Sequence, residues 1–158
     1  MASKTVPVLI QRGLLLDEQR GPDPARIDAL VAFQRSARRR LLLLARQPVR
    51  WRPTRNSVDE DLGLQQTLHQ AVRRAGAELD GVLYLTVGLF ARRQGRLDEL
   101  VRMADRYRIE PAELVAVGSD ATLLESIVQS GGRALSVGER VIGASRHPSL
   151  KAALSALL

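Results

Sequence analysis

The sequence predicts a three-layer α/β fold in which a parallel sheet is covered by helices on both faces. Three observations carry this. Short apolar runs of strand length alternate with segments whose apolar residues recur at helical spacing. Those runs are nearly continuous, as in strands buried on both faces. No apolar run approaches the roughly 18–20 residues of a membrane span. A chain of 158 residues suits a single domain over residues 1–158, built on about five strands.

Val6-Pro-Val-Leu-Ile10 reads as a buried central strand. Asp23-Pro24 starts a helix, with Asp as N-cap and Pro at the first helical position. Ile27, Leu30 and Val31 mark its buried face, and Arg38 to Arg40 suit its C-terminal end. Leu41 to Ala45 is the second strand, followed by an irregular basic segment from Arg46 to Arg55. Ser57-Val-Asp-Glu60 has the form of a capping box, and behind it Leu64, Leu68, Ala71, Val72 and Ala75 form an amphipathic stripe. Gly81 to Leu85 is the third strand. Leu97, Leu100, Val101, Ala104 and Tyr107 form the next helical stripe, with Asp98 placed to complement its first turn. Leu114 to Val117 is the fourth strand and runs into Gly118-Ser-Asp120. A short helix carrying Leu124, Ile127 and Val128 stops at Gly131-Gly132. Ala134 to Val137 and Val141 to Ala144 read as the last strands, and Pro148 opens a C-terminal helix.

Composition narrows the chemistry. The chain has no Cys, so disulfides, thiolate zinc sites and a Cys nucleophile are excluded. The first residues, Met-Ala-Ser-Lys-Thr, lack the apolar core of a signal peptide, and a cytoplasmic location is expected. The net charge is +7, carried by 22 Arg and only two Lys. The Arg residues are scattered over every segment rather than clustered as in most nucleic-acid modules. Aromatic residues for base stacking are 3% of the chain. Two His, His69 and His147, lack ligand spacing, and no Gly-rich nucleotide loop or Gly-x-Ser-x-Gly elbow is present.

Ligands of open parallel sheets bind beyond the carboxyl ends of the strands. There the chain reads Ile10-Gln-Arg-Gly-Leu14, Ala45-Arg-Gln-Pro-Val49, Gln94-Gly-Arg-Leu-Asp98 and Gly118-Ser-Asp-Ala-Thr-Leu123. In order and spacing these resemble the motifs of the haloacid dehalogenase-like (HAD-like) phosphatases, in the capless branch of heptose bisphosphate and histidinol phosphatases. Asp80-Gly-Val82, Ile109-Glu-Pro111 and Val117-Gly118 add to the likeness. The resemblance implies a Rossmann-like core with strand order 5-4-1-2-3 and no large cap domain. It also implies an aspartate nucleophile, a second aspartate as acid, a Thr and a Lys on the phosphate, and Mg²⁺ held by carboxylates.

The corresponding positions here are Ile10 for the nucleophile, Arg12 for the acid, Ala45 for the Thr and Gln94 for the Lys, with Ser119 and Leu123 in place of metal ligands. The branch's zinc cysteines have no counterpart. The sequence therefore predicts a catalytically inactive relative with no catalytic residue, no Mg²⁺ and no zinc. Asp120 reads as the N-cap of the next helix. Acids at the carboxyl edge are exchanged for Arg, so Arg12, Arg46, Arg50, Trp51, Arg52, Arg93 and Arg96 are candidate anion-binding residues. Three readings stay open: a non-catalytic relative that binds a protein partner or a phosphorylated or other anionic ligand, a divergent phosphomonoester hydrolase acting on a sugar phosphate, and a nucleic-acid-binding module. No membrane association is expected.

Overall fold

The structure, a computed structural model, describes residues 6–48, 55–87 and 92–158. Among the described residues six parallel strands form one sheet: β1 Val8–Gln11, β2 Leu41–Pro48, β3 Val82–Val87, β4 Val115–Gly118, β5 Arg133–Val137 and β6 Ser145–His147. Their order is β3-β2-β1-β4-β5-β6. Read from the far edge this is the expected 5-4-1-2-3 with a sixth strand added beyond β5. The α-helices among the described residues are α1 Pro24–Ala37, α2 Arg55–Ala75, α3 Arg93–Arg106, α4 Ala121–Gln129 and α5 Leu150–Ser155.

Strand alternation sends side chains to two cores. Val8, Ile10, Leu41 and Leu43 face the layer of α1, α2 and α5, where they meet Leu30, Leu68 and Ala153. Leu9, Leu42 and Leu44 face α3 and α4, against Leu100, Met103 and Leu124. Both cores are mostly aliphatic, which explains the continuous apolar runs in the sequence. No described helix is long and apolar enough to cross a membrane.

Local signals start and stop the elements. The Asp23 carboxylate accepts from the N–H groups of Ala25 and Arg26, with Pro24 at the first position of α1. Arg38 ends that helix in the left-handed region at φ 52°. Gln34 then ties α1 to the link before β3: its amide nitrogen donates to the carbonyls of Arg39 and Glu78, and its oxygen accepts from the Glu78 N–H.

Several elements differ from the sequence reading. β1 ends at Gln11 rather than Ile10, because pairing with β2 continues through Gln11↔Leu44. β2 runs on to Pro48, held by its pairing of Arg46, Gln47 and Pro48 with Leu85, Thr86 and Val87 of β3. α2 is already helical at Arg55, so Ser57 to Glu60 lies inside the helix rather than at its start. In α3 the buried stripe is Leu100, Met103 and Ala104. Val101 is exposed, and Tyr107 is the C-cap. Asp98 lies beyond the first turn and accepts from Gln94. Val141 to Ala144 forms a turn in which Ile142 is 86% exposed, and the sixth strand comes after it. The last helix begins at Leu150 with Ser149 as its N-cap, one residue beyond Pro148.

Leu43 is fully buried in the centre of the first core. Leu43→Ala is expected to lower unfolding free energy by about 2–5 kcal/mol, read as a shifted midpoint in urea with the slope unchanged.

Candidate functional site

The site follows from where the central strand ends. β1 pairs with β2 on one side and β4 on the other. The connections leaving β1 and β2 pass to one face of the sheet, and those leaving β3 and β4 to the other. A crevice opens at such a switch point. Here it is a cleft of about 190 Å³ whose lining includes Gln11, Arg12, Gly13, Arg20, Ala45 and Arg46.

Alternation decides what reaches it. Ile10 is fully buried among the α1-side residues and cannot serve the crevice. The last strand residue, Gln11, is the one that enters. Its Oε1 accepts from the backbone N–H groups of Ser119 (2.6 Å) and Asp120 (2.9 Å). Gly118 makes room for this contact, since a Cβ there would lie 2.7 Å from Gln11 Oε1. A carboxamide therefore bridges β1 to the start of α4. Ile10, which the resemblance matched to the attacking aspartate, faces the α1-side core, and Gln11 beside it lines the cleft.

Arg12 turns the opposite way, in the 3₁₀ turn Arg12–Leu15. It is 11% exposed and pairs with Asp61 of α2 at 2.8 Å. It also donates to Gln65 (3.2 Å) and to the Tyr84 hydroxyl (3.3 Å), and its guanidinium lies 5.7 Å from the Tyr84 ring centre. The Tyr84 hydroxyl donates in turn to the second Asp61 oxygen. Burial pushes the Asp61 carboxyl upward, but hydrogen bonds from Arg12 and Tyr84 and the charges of Arg12 and Arg20 outweigh it. The net effect holds Asp61 below the usual carboxylate range. Burial, and then donation to Asp61, pushes the Tyr84 phenol up. The Gln65 side-chain nitrogen is buried with no hydrogen-bond partner among the described residues.

The other cations divide. Arg46 is 55% exposed and pairs with Asp120 at 3.1 Å. Asp120 also caps α4 by accepting from the Leu123 N–H, as the sequence indicated. Arg20 lines the cleft and has no ion pair among the described residues. It sits at φ 63° in a hairpin turn where Asp17 Oδ1 accepts from the N–H groups of Gln19 and Gly21. A left-handed Arg costs roughly 1–2 kcal/mol relative to an ordinary conformation, so the turn holds this cation at the rim against its backbone preference.

Arg96 points elsewhere: it donates to Ser126 of α4 and to the Thr86 carbonyl. Arg93 and Gln94 lie exposed on α3, outside the cleft lining. Ala45 and Leu123 line the cleft as small and apolar wall residues. Arg50, Trp51 and Arg52 lie outside the described residues. His147 contacts the Ser145 hydroxyl at the sheet edge, away from the cleft.

Mg²⁺ requires several hard oxygen ligands in near-octahedral array. Among the described residues no three His, Cys, Asp or Glu side chains converge, and segments 1–5, 49–54 and 88–91 contain none of these residue types. Asp61 and Asp120 are each committed to an Arg. The donor set does not fit the metal of the resembled phosphatases.

Gln11, Arg20, Asp61, Gln65 and Tyr84 were not singled out from the sequence. Counting alternation one residue further would have exposed Gln11. Nothing local marks Asp61 or Tyr84, which meet Arg12 only through the packing of α2 over β3.

No family model matches the chain, and no curated protein matches it. Solved structures do. A D,D-heptose 1,7-bisphosphate phosphatase from B. bronchiseptica, complexed with magnesium and phosphate, superposes with TM-score 0.71 at 16% identity, over 96% of this chain and 97% of its own. The same enzyme from Burkholderia thailandensis gives 0.59 at 19% identity, over 96% and 98%. A candidate HAD-like phosphatase from Mesorhizobium loti gives 0.64 at 15% identity, over 96% and 86%. The chain has the Rossmann-like fold of the HAD-like phosphatases, with no large cap among the described residues.

A depressed carboxyl pKa stabilises the fold above the ordinary carboxylate range, and that contribution is lost as pH falls through the depressed value. Asp61→Asn is therefore expected to cost about 1.5–3 kcal/mol near neutrality. The gap to the parent should close as acid protonates the parent's Asp61, which urea unfolding across an acid series would measure.

Proposed function

We propose that this chain is a phosphatase-fold protein that binds a phosphorylated or carboxylate-bearing ligand at the carboxyl edge of its sheet without aspartyl-phosphate chemistry. One observation carries the reading: the crevice end of β1 presents Gln11, a carboxamide already engaged by two backbone N–H groups. An amide is a poor nucleophile toward phosphorus and a weak metal ligand. Removing a nucleophile from a comparable covalent enzyme costs on the order of 10⁶ in rate.

The cleft's charges support an anionic ligand. Arg12, Arg20 and Arg46 oppose Asp61 and Asp120, for a net of one positive charge. Arg20 is the rim cation without a carboxylate. Arg12 is held in place by Asp61, which meets its charge. The B. bronchiseptica phosphatase was solved with phosphate, and its fold is shared over nearly the whole chain. The same likeness favours a second reading, a divergent phosphomonoester hydrolase on a sugar phosphate. The site would then need a nucleophile other than Gln11.

Both are separated by one set of measurements on purified protein. Phosphorylated metabolites are expected to raise the melting temperature. EDTA should leave that shift unchanged, and added salt should shrink it. Arg20→Ala should weaken binding by about 10- to 150-fold, the equivalent of one charge-assisted hydrogen bond. Sugar-phosphate turnover at about 1 s⁻¹ or faster would overturn the non-catalytic reading in favour of the hydrolase. Unchanged binding by Arg20→Ala would overturn the site.

A further inference from the structure

A second concavity lies at the opposite end of the sheet, where β2 and β3 begin. Its volume is about 310 Å³, larger than the carboxyl-edge cleft. Small-ligand sites usually occupy roughly 300–1,000 Å³ and combine an apolar lining with a few convergent polar groups. This cleft sits at the small end of that range and combines both kinds of group, with its polar surface the larger. Leu42, Leu83 and Met103 form its apolar part, and Arg40, Asp80, Arg106 and Tyr107 its polar part.

The polar groups are arranged with a bias. Asp80 Oδ2 accepts from the Tyr107 hydroxyl at 2.9 Å and lies 3.6 Å from Arg40. One carboxylate oxygen thus faces two donors. Burial and the Asp80 carboxylate push the Tyr107 phenol up to about 12, so it stays a donor at ordinary pH. Arg106, exposed at the end of α3, has no ion pair among the described residues. The lining therefore carries one net positive charge, two guanidinium groups against one carboxylate, above an apolar floor.

We propose that this amino-edge cleft is a binding site for a small amphipathic organic anion, one carboxylate, sulfonate or phosphate joined to an apolar ring or short chain. The apolar part lies on Leu42, Leu83 and Met103, and the anion sits between Arg40 and Arg106. A bare inorganic anion would leave the floor uncovered, and a neutral apolar molecule would leave Arg106 without a counter-charge. The site is independent of the carboxyl-edge reading, since it shares no lining residue with it.

The probe is 8-anilinonaphthalene-1-sulfonate, whose ring and single sulfonate match the cleft, followed by calorimetry and fluorescence on the full chain. One saturable site is expected. Arg40→Ala with Arg106→Ala should weaken it about tenfold or more, the loss of at least one charge-assisted contact. N-phenyl-1-naphthylamine, the same molecule without the sulfonate, should bind weaker by a similar factor. Arg140→Ala, a charge-matched change on another exposed loop, should bind as the parent does. Arg106→Ala alone alters only an exposed helix end, so it reports on the site even if the double variant is unstable. The proposal is overturned by any of four results: no saturable binding, parent-like binding by Arg106→Ala, equal affinity for the uncharged probe, or an equal loss in Arg140→Ala.

Discussion

The structure depends on the position of β1, a four-residue strand paired on both edges and covered on both faces. Its partners β2 and β4 leave it no freedom of register, and a shift of one residue would exchange its two faces. Val8 and Ile10 are committed to one core and Leu9 to the other. Gln11 is thereby aimed at the start of α4, and Arg12 at α2. The polar architecture of the carboxyl edge follows from that alternation.

At that edge, position and charge tell different stories. The Arg residues that the sequence brings to the strand ends suggest an open cationic pocket. The fold instead supplies carboxylates to meet them, Asp61 for Arg12 and Asp120 for Arg46. In the Arg12–Asp61 pair both oxygens of Asp61 are already occupied, one by Arg12 and one by Tyr84. Among the described residues, the cation of the cleft lining without a carboxylate partner is Arg20, at the tip of a short hairpin. The same logic holds at the amino edge, where Asp80 is claimed by Tyr107 and Arg40 while Arg106 is not. In each case the useful cation is the one whose neighbours are already satisfied.

Much of the fold was legible in the chain itself. The five principal strands, their parallel arrangement and the Asp23 and Asp120 caps could be read from local pattern, because burial on both faces demands continuous apolar runs and helix starts need side-chain acceptors; the strand order came from the family resemblance. The failures lie at edges and boundaries. Val141 to Ala144 is apolar enough to read as a strand, yet it turns, and the weakly patterned Ser145–His147 pairs in its place. An edge strand needs only one partner and little burial, so its sequence carries little signal. β2 outruns its apolar core through Arg46–Pro48 for a similar reason: backbone pairing with β3 extends it, and side chains do not mark it.

By itself the sequence determined the two-layer burial, the absence of thiol chemistry and the lack of aspartates at the first strand's end. Those depend on residue type and short-range period. Only the tertiary structure decided that Gln11 rather than Ile10 reaches the crevice, that Arg12 is neutralised by a residue 49 positions away, and that Arg40 and Arg106 flank a common cleft. These are long-range contacts between side chains on separate elements. Their partners are chosen by helix packing and strand register, and neither is written in the residues immediately around them.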